Sequence, residues 1–412
     1  MGLPLAVMFS LASIMLDICS IVPLATASSL PDIIYRDVAI IGGGASGAYA
    51  AVRMRDDFDD SIVLIEKQDN MGGMVNTHIG KNSTIIDYGV MTFFESKASN
   101  LSLTTEYIDF TTGESNFPEP SDMPEDFFVP FGDFLTKYGL KDAAHIMYSS
   151  TGLGVGNMAK VATIWYIPTS GGNQALYDAM AEDPGDDMLY SSTAIDSHRT
   201  DLGVFLTVRN NKTNKITLII AHRLLVAIEP TEENIKPLDL SPFKQETLSK
   251  FTYSNEFTGL VDNAVFNSSF TDSNLPSAAA PDNTLVFQNE PMVPSFEYTG
   301  VEHLFRVMII GNTPSTAEEA RALAQNSFNT LLRSGQLSQS ADKELSWAAF
   351  SVHGAMHARV TVGQVRSGFF QDLHRLQRSR STWWTGGAFS ANLQTQLGEF
   401  DEDLIPKILA DL

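Results

Sequence analysis

Three glycines, Gly42, Gly44 and Gly47, and one acid, Glu66, carry the first chemistry legible in this chain. Their spacing is G-x-G-x-x-G, with the acid 24 residues after the first glycine. Each glycine answers a different need of a bound pyrophosphate. Gly42 allows a tight turn, Gly44 lets backbone approach phosphate, and Gly47 lets a helix pack closely on a strand. Ala45 and Ser46 lie at the start of an Ala-rich helix, whose free N–H groups and dipole favour an anion. Glu66, followed by Lys67, stands where a carboxylate accepts hydrogen bonds from ribose hydroxyls. These residues are the candidate dinucleotide contacts.

Such a motif gains meaning from its context. Val38 to Ile41 is a continuous apolar run that reads as a buried strand, and Ser61 to Ile65 is a second strand ending at the acid. A further glycine pair, Gly72-Gly73, follows closely. It is no part of the plain nicotinamide fingerprint, and it suits a longer cofactor whose ribityl chain needs close backbone approach. That points to FAD, with an ordinary Gly-Gly loop as the alternative. Near the C-terminus, Trp383-Trp384-Thr385 leads into Gly386-Gly387 and a helix from about Ser390. Two glycines there would admit the edge of a flavin ring, and the helix end would favour negative charge at N1 and C2=O. A plain strand–Gly–helix turn fits the same spacing. Asp87 and Gly89, in a strand and turn from Thr84 to Phe93, could flank the ring or form a simple hairpin corner. His353 is the candidate proton acceptor, because imidazole titrates near the working range. His357 competes with it, and a core or surface histidine is the bland reading.

These residues require particular elements to hold them. The expected fold class is α/β. A Rossmann-like FAD-binding domain, a parallel sheet with a small antiparallel layer, would be assembled from segments 34–95, 166–235 and 346–412. An inserted α+β substrate domain would take 96–165 and 236–345. In the middle segment, a helix from Asn173 to Ala181 leads to a strand at Met188 to Ile195. A hairpin of Asp201 to Val208 with Lys215 to Ala221 follows, then a buried strand, Leu224 to Ile228, closed by Glu229-Pro230. The insertion carries no nucleotide motif; its cluster Phe127, Phe128, Phe131 and Phe134 reads as core or pocket wall. Strands at Thr284 to Gln288 and Glu302 to Gly311, and a helix from Thr316 to Leu332 with Ser315 as N-cap, complete the reading.

Composition narrows the function. At 412 residues the chain can hold two or three domains. A formal charge of −22 with no basic stretch argues against nucleic acid and disfavours an anionic membrane surface. Residues 1–27 resemble a secretory signal, with an apolar stretch from Leu3 to Leu16 and an Ala25-Thr26-Ala27 cleavage site. An uncleaved anchor is the alternative, although the stretch is short for a spanning helix; with the signal removed, no integral membrane span is expected in the mature chain. In the secretory pathway, sequons at Asn82, Asn100, Asn211 and Asn267 become glycosylation candidates. Cys19, the single cysteine, falls inside the signal, which excludes disulfides and a cysteinyl flavin bond from a mature chain. No His/Asp/Glu cluster has metal-ligand spacing, so no metal is expected.

Taken together, YRDVAIIGGGASGAYAAVRMRDDF, SIVLIEKQDNMGGMVNTH, IDYGV, HGAM and TWWTGGAFSANLQTQLGEF resemble the β-cyclopiazonate dehydrogenase family. These are fungal flavoproteins related to flavin amine oxidases, and the resemblance runs from about Tyr35 to the C-terminus. It implies FAD, with Gly42, Gly44 and Gly47 at the pyrophosphate and Glu66 at the adenosine ribose. Gly72 and Gly73 would lie along the ribityl side, Ala194 near adenine through its backbone, and Gly386 and Gly387 beside the ring. It also implies hydride transfer from a hydrophobic, often prenylated natural product to flavin N5, in some cases with ring closure. Met74 and Gly398 depart from the family pattern, and both are expected to reshape the substrate pocket. Three other readings stay open: a flavin amine oxidase-like enzyme acting on another small molecule, a nicotinamide-dependent dehydrogenase, and a secreted ligand-binding protein without catalysis.

Overall fold

A computed structural model describes residues 31–58, 60–80, 85–89, 121, 125–141, 144, 174–181, 188–266, 272–274, 276–279, 285–312, 315–337, 343–390, 394–410 and 412. The signal segment, the sequons at Asn82, Asn100 and Asn267, the Phe127 side chain and most of 96–165 lie outside them.

The first sheet grows from the apolar run read above. Val38 to Ile41 is the buried end of β1 (Asp32–Ile41), which leads through the glycine turn into α1 (Ala45–Phe58) and β2 (Ile62–Ile65). A small hairpin, β3 (Thr77–Ile79) with β4 (Ile85–Asp87), follows. After α2 (Gln174–Ala181) come β5 (Met188–Leu189), β6 (Ser192–Thr200), β7 (Gly203–Asn210) and β8 (Ile216–Val226). β1 pairs in parallel with β2 on one side and β8 on the other, and β5 extends the parallel order beyond β2.

β8 is where the sheet divides. Its first half, Ile216–Ala221, pairs antiparallel with β7, which in turn pairs with β6. Its second half, Leu224–Val226, pairs in parallel with β14 (Thr382–Trp384), close to the chain's end. The expected antiparallel unit is therefore present, joined edge to edge through one long strand. The two apolar runs 216–221 and 224–228 read as separate strands because His222-Arg223 interrupts them; in the fold these two residues merely mark the handover between neighbours.

A second sheet is wholly antiparallel and built from β9 (Thr252–Asp262), β10 (Asp272–Ser273), β11 (Ser295–Tyr298), β12 (Leu304–Gly311) and β13 (Trp347–Arg359), in the order β10-β11-β12-β9-β13. One face packs on α3 (Ala317–Ser334) through Ala320, Ala324, Phe328, Leu331 and Leu332 against Phe257, Phe305 and Val307. The cap of α3 is Thr316, not Ser315. Thr316 accepts the Glu319 N–H while Glu319 bonds back to the Thr316 N–H, a capping box that Ser315 is one residue too early to make.

Two further expectations change. Leu285 to Gln288 forms no strand; Leu285 and Phe287 instead anchor an apolar cluster with Phe131 and Leu135. β13 runs beside β9, with Phe350 stacked on Phe257, so 347–359 belong with the second sheet rather than the cofactor segment. The chain returns to the first sheet only at β14, then closes with α4 (Gln394–Leu409) against α1. Asn211 sits exposed on the β7–β8 turn.

Candidate active site

The glycine turn is built as its spacing demands. Gly42 has φ +104°, and a methyl group there would meet the Ala227 carbonyl oxygen at 2.7 Å. At Gly47 a methyl group would lie 1.8 Å from the Gly42 oxygen, so helix and turn touch with no room for a side chain. Gly44 differs: a methyl there would meet nothing closer than the Gly73 Cα at 3.8 Å. That open ground at the N-terminus of α1 is where a pyrophosphate would need access to backbone N–H groups.

Glu66 is 4 % exposed and closes the turn from the β2 side. Its Oε2 accepts the Gly43 N–H at 2.7 Å and its Oε1 accepts the Gln68 N–H at 2.7 Å. A carboxylate has about four lone-pair sites, so oxygens already bonded to backbone can still accept ribose hydroxyls. Lys67 points to solvent. The second glycine pair is stitched to the first loop: Gly72 donates its N–H to the Gly43 oxygen at 2.9 Å, and a methyl on Gly73 would meet the Gly44 Cα at 2.9 Å. Both glycines have positive φ, +118° and +60°. Gly386, with φ +99°, turns the chain just beyond β14, and Thr385 donates its N–H to the Val226 oxygen. Ala194 is buried on β6 immediately before a register shift. Two glycine-rich turns thus meet each other, and a third flanks Ala227. Their backbones fit a long dinucleotide such as FAD.

The chain then carries this site toward the second sheet. Tyr88 and Gly89 donate their N–H groups to the Asn76 oxygen, and a methyl on Gly89 would strike the Met74 oxygen at 2.3 Å. Thr258 of β9 donates its hydroxyl to the Tyr88 oxygen. From β13, His353 Nε2 reaches Asn76 Oδ1 at 2.8 Å. Gly398 lies where α4 packs on α1: a methyl there would sit 3.8 Å from the Tyr49 ring.

His353 and His357 owe their positions to strand irregularities. The β13–β9 register slips between Val352 and Gly354 and again between Met356 and Arg359, so each histidine sits at a bulge; His357 has φ +53° and Gly354 +81°. Bulges re-aim side chains out of strict alternation. Both imidazoles consequently interact with Glu256, buried on β9, with His357 Nε2 3.0 Å from Glu256 Oε1. Burial alone would raise the Glu256 carboxyl, but the charge and hydrogen bond of His357, with His353 and Arg359, bring it below the usual range. Burial opposes the charge on His357, yet Glu256 and then Glu229 raise it overall. His353 behaves differently. Burial pushes it down to about 4, against a weaker pull from Glu256. It stays neutral at working pH, which corrects the expectation that it titrates there.

Three acids in this region escape sequence reading. Glu256 hides in an alternating strand, Glu229 looks like the polar end of one, and Asp401 sits in an Asp-Glu-Asp run that reads as a solvated helix face. Asp401 is instead 1 % exposed; it accepts the Thr385 hydroxyl at 2.5 Å with Ser46 close by, and burial holds its pKa well above the ordinary carboxylate value. It ties the turn after β14 to the start of α1. Among the described residues no group of three His, Cys, Asp or Glu side chains could hold a metal, and no helix is long and apolar enough to cross a membrane.

Comparison with known proteins agrees with this geometry. Residues 40–104 match the NAD(P)-binding Rossmann-like domain family. The β-cyclopiazonate dehydrogenase of Aspergillus flavus is 25 % identical, over 93 % of this chain and 95 % of its own length. The FAD-dependent oxidoreductase pigF of Monascus ruber is 26 % identical, over 87 % of this chain and 89 % of its own. Among solved structures, the conjugated-linoleic-acid-producing fatty acid isomerase of P. acnes superposes with a TM-score of 0.68 at 14 % identity, over 91 % of this chain and 99 % of that one. Over nearly its whole length this chain is thus similar to fungal FAD-dependent oxidoreductases and to β-cyclopiazonate dehydrogenase.

Proposed function

We propose that this protein is an FAD-dependent oxidoreductase of secondary metabolism that removes a hydride from a hydrophobic, prenylated or terpenoid intermediate. The observation that carries the reading is the double glycine turn closed by Glu66 and joined, through Asn76, to the histidine–carboxylate cluster of the second sheet. When bound, FAD would supply the two-electron acceptor. The chain's own residues supply the rest. Gly42, Gly44 and Gly47 with the α1 N-terminus would hold the pyrophosphate, Glu66 the ribose, and Gly72-Gly73 the ribityl side. Ala45 and Ser46, at the helix start, would lie beside the pyrophosphate, and Gly386-Gly387, beyond β14, beside the flavin ring. His353, neutral and fixed by Asn76, orients rather than titrates. Loss of a hydride leaves a cationic carbon, which an internal nucleophile could trap to close a ring.

Anaerobic mixing of the flavin-loaded protein with prenylated indoles, other prenylated aromatics and terpenoids tests the substrate class. Bleaching of the flavin band by one of these, with none by putrescine or other amines, is the expected result. Bleaching by amines alone would transfer the protein to the amine-oxidase reading. A bound flavin that nothing in the panel reduces would favour ligand binding without catalysis.

A further inference from the structure

We propose that Glu229 is the proton-exchanging residue of this site, taking up the proton that leaves the substrate as its hydride goes to the flavin. The inference rests on the oxidoreductase reading above and adds to it the identity of the acid–base group.

The position of Glu229 is set by backbone contacts. Ala227 donates its N–H to the Ile41 oxygen at 2.9 Å, and its carbonyl abuts Gly42 so closely that a methyl there would lie 2.7 Å away. On its other side, a methyl on Gly386 would lie 3.9 Å from the Ala227 carbonyl carbon. The chain at 226–228 is therefore wedged between the first glycine turn and the turn after β14. Glu229 is the first ionisable side chain to leave that wedge, at the carboxyl end of β8 beside β1. In open α/β sheets, ligands bind outside the carboxyl ends of the strands.

Its surroundings leave it the proton to exchange. The backbone of Glu229 is fixed, its oxygen accepting the Thr231 N–H and the Asn234 side-chain amide at 2.8 Å each. The carboxyl Oε2, by contrast, is shielded from solvent and has no hydrogen-bond partner. The ionisable groups it interacts with come from the second sheet: His357 of β13 acts on Glu229, and Glu229 in turn acts on Tyr253 of β9. Burial pushes Glu229 up to about 7, against the opposing charge of His357. The neighbouring groups are already committed. His353 faces Asn76, and His357 is paired with Glu256.

The step balances as an ordinary dehydrogenation. When bound, FAD would supply the acceptor for the hydride, with its two electrons, that the substrate loses. An adjacent X–H bond breaks, its electron pair forms the new double bond, and the proton passes to the Glu229 carboxylate. Glu229 later returns that proton to solvent.

The test uses the full chain saturated with FAD and reads the flavin absorbance across about pH 5 to 9, a window that brackets the expected ionisation. A spectral step centred near pH 7 is expected in the wild type. Glu229→Gln should abolish the step while binding FAD within about threefold of wild type, and His353→Gln should keep it. Should the glutamine variant fold poorly, Glu229→Asp serves instead and should move the step. Persistence of the step unchanged in these variants overturns the proposal, as does its absence from a wild type that holds FAD. Failure to take up FAD, measured separately, removes the oxidoreductase reading and this inference with it.

Discussion

Gly47→Ala should leave the protein without retained flavin and destabilise the fold by about 3 kcal/mol or more, a steric effect at the top of the usual overpacking range. The added methyl would lie 1.8 Å from the Gly42 oxygen and 3.2 Å from the Ala227 Cβ. Gly42 has no room to yield, because Ala227 already fills the space beside it. Gly44→Ala separates stability from cofactor binding. Its methyl meets no atom closer than 3.8 Å, so the apo fold should change by less than about 1 kcal/mol. It would nevertheless occupy the approach to the pyrophosphate and weaken FAD binding at least about tenfold. Urea unfolding of the apo proteins and flavin titration measure both quantities. Wild-type affinity in both variants would place the cofactor elsewhere.

The second large effect lies away from the site. Asp239 serves two arginines: Arg199 Nε at 2.7 Å on one carboxyl oxygen, and Arg380 on the other. Arg199, 0 % exposed on β6, also reaches Thr382 Oγ1 at 3.0 Å, so the cluster pins the β6–β7 hairpin to β14. Lys244 is close enough for the two arginines to add to the lowering that burial causes, to about 8. Asp239→Ala would strand these cations with no anion. The expected loss is about 3–5 kcal/mol in unfolding free energy, the usual cost of removing one partner of a buried pair. Replacing Arg199 and Asp239 together by Met and Leu should recover part of it, because no uncompensated charge is then left at Arg199. A loss under about 1 kcal/mol for the single variant would mean that water reaches the cluster.

What the sequence discloses and what it hides follow from separation along the chain. The first glycine turn and Glu66 lie within one β-α-β unit, so their geometry is local and spacing suffices to read it. The meeting of Gly44 with Gly73 is only partly legible: a glycine pair announces close approach without saying to what. His353 and Asn76 are 277 residues apart, and nothing in either stretch announces the bond between them. Bulges defeat simple alternation, which is why HGAMH does not reveal that both histidines interact with Glu256. Glu229, Glu256 and Asp401 are hidden for a chemical reason. Acids are rarely buried, so a sequence reading assigns them to water, whereas here tertiary packing encloses them and gives them their altered titration. The boundary at β13 is hidden for a topological one, since an antiparallel neighbour can come from anywhere in the chain.

The most direct test of the central claim is the absorbance spectrum of the purified protein, taken before and after denaturation. Flavin bands that pass into the soluble fraction on unfolding are the predicted result, with one FAD per chain held by backbone and carboxylate contacts alone. A colourless protein that also fails to take up added FAD would contradict the account at its foundation.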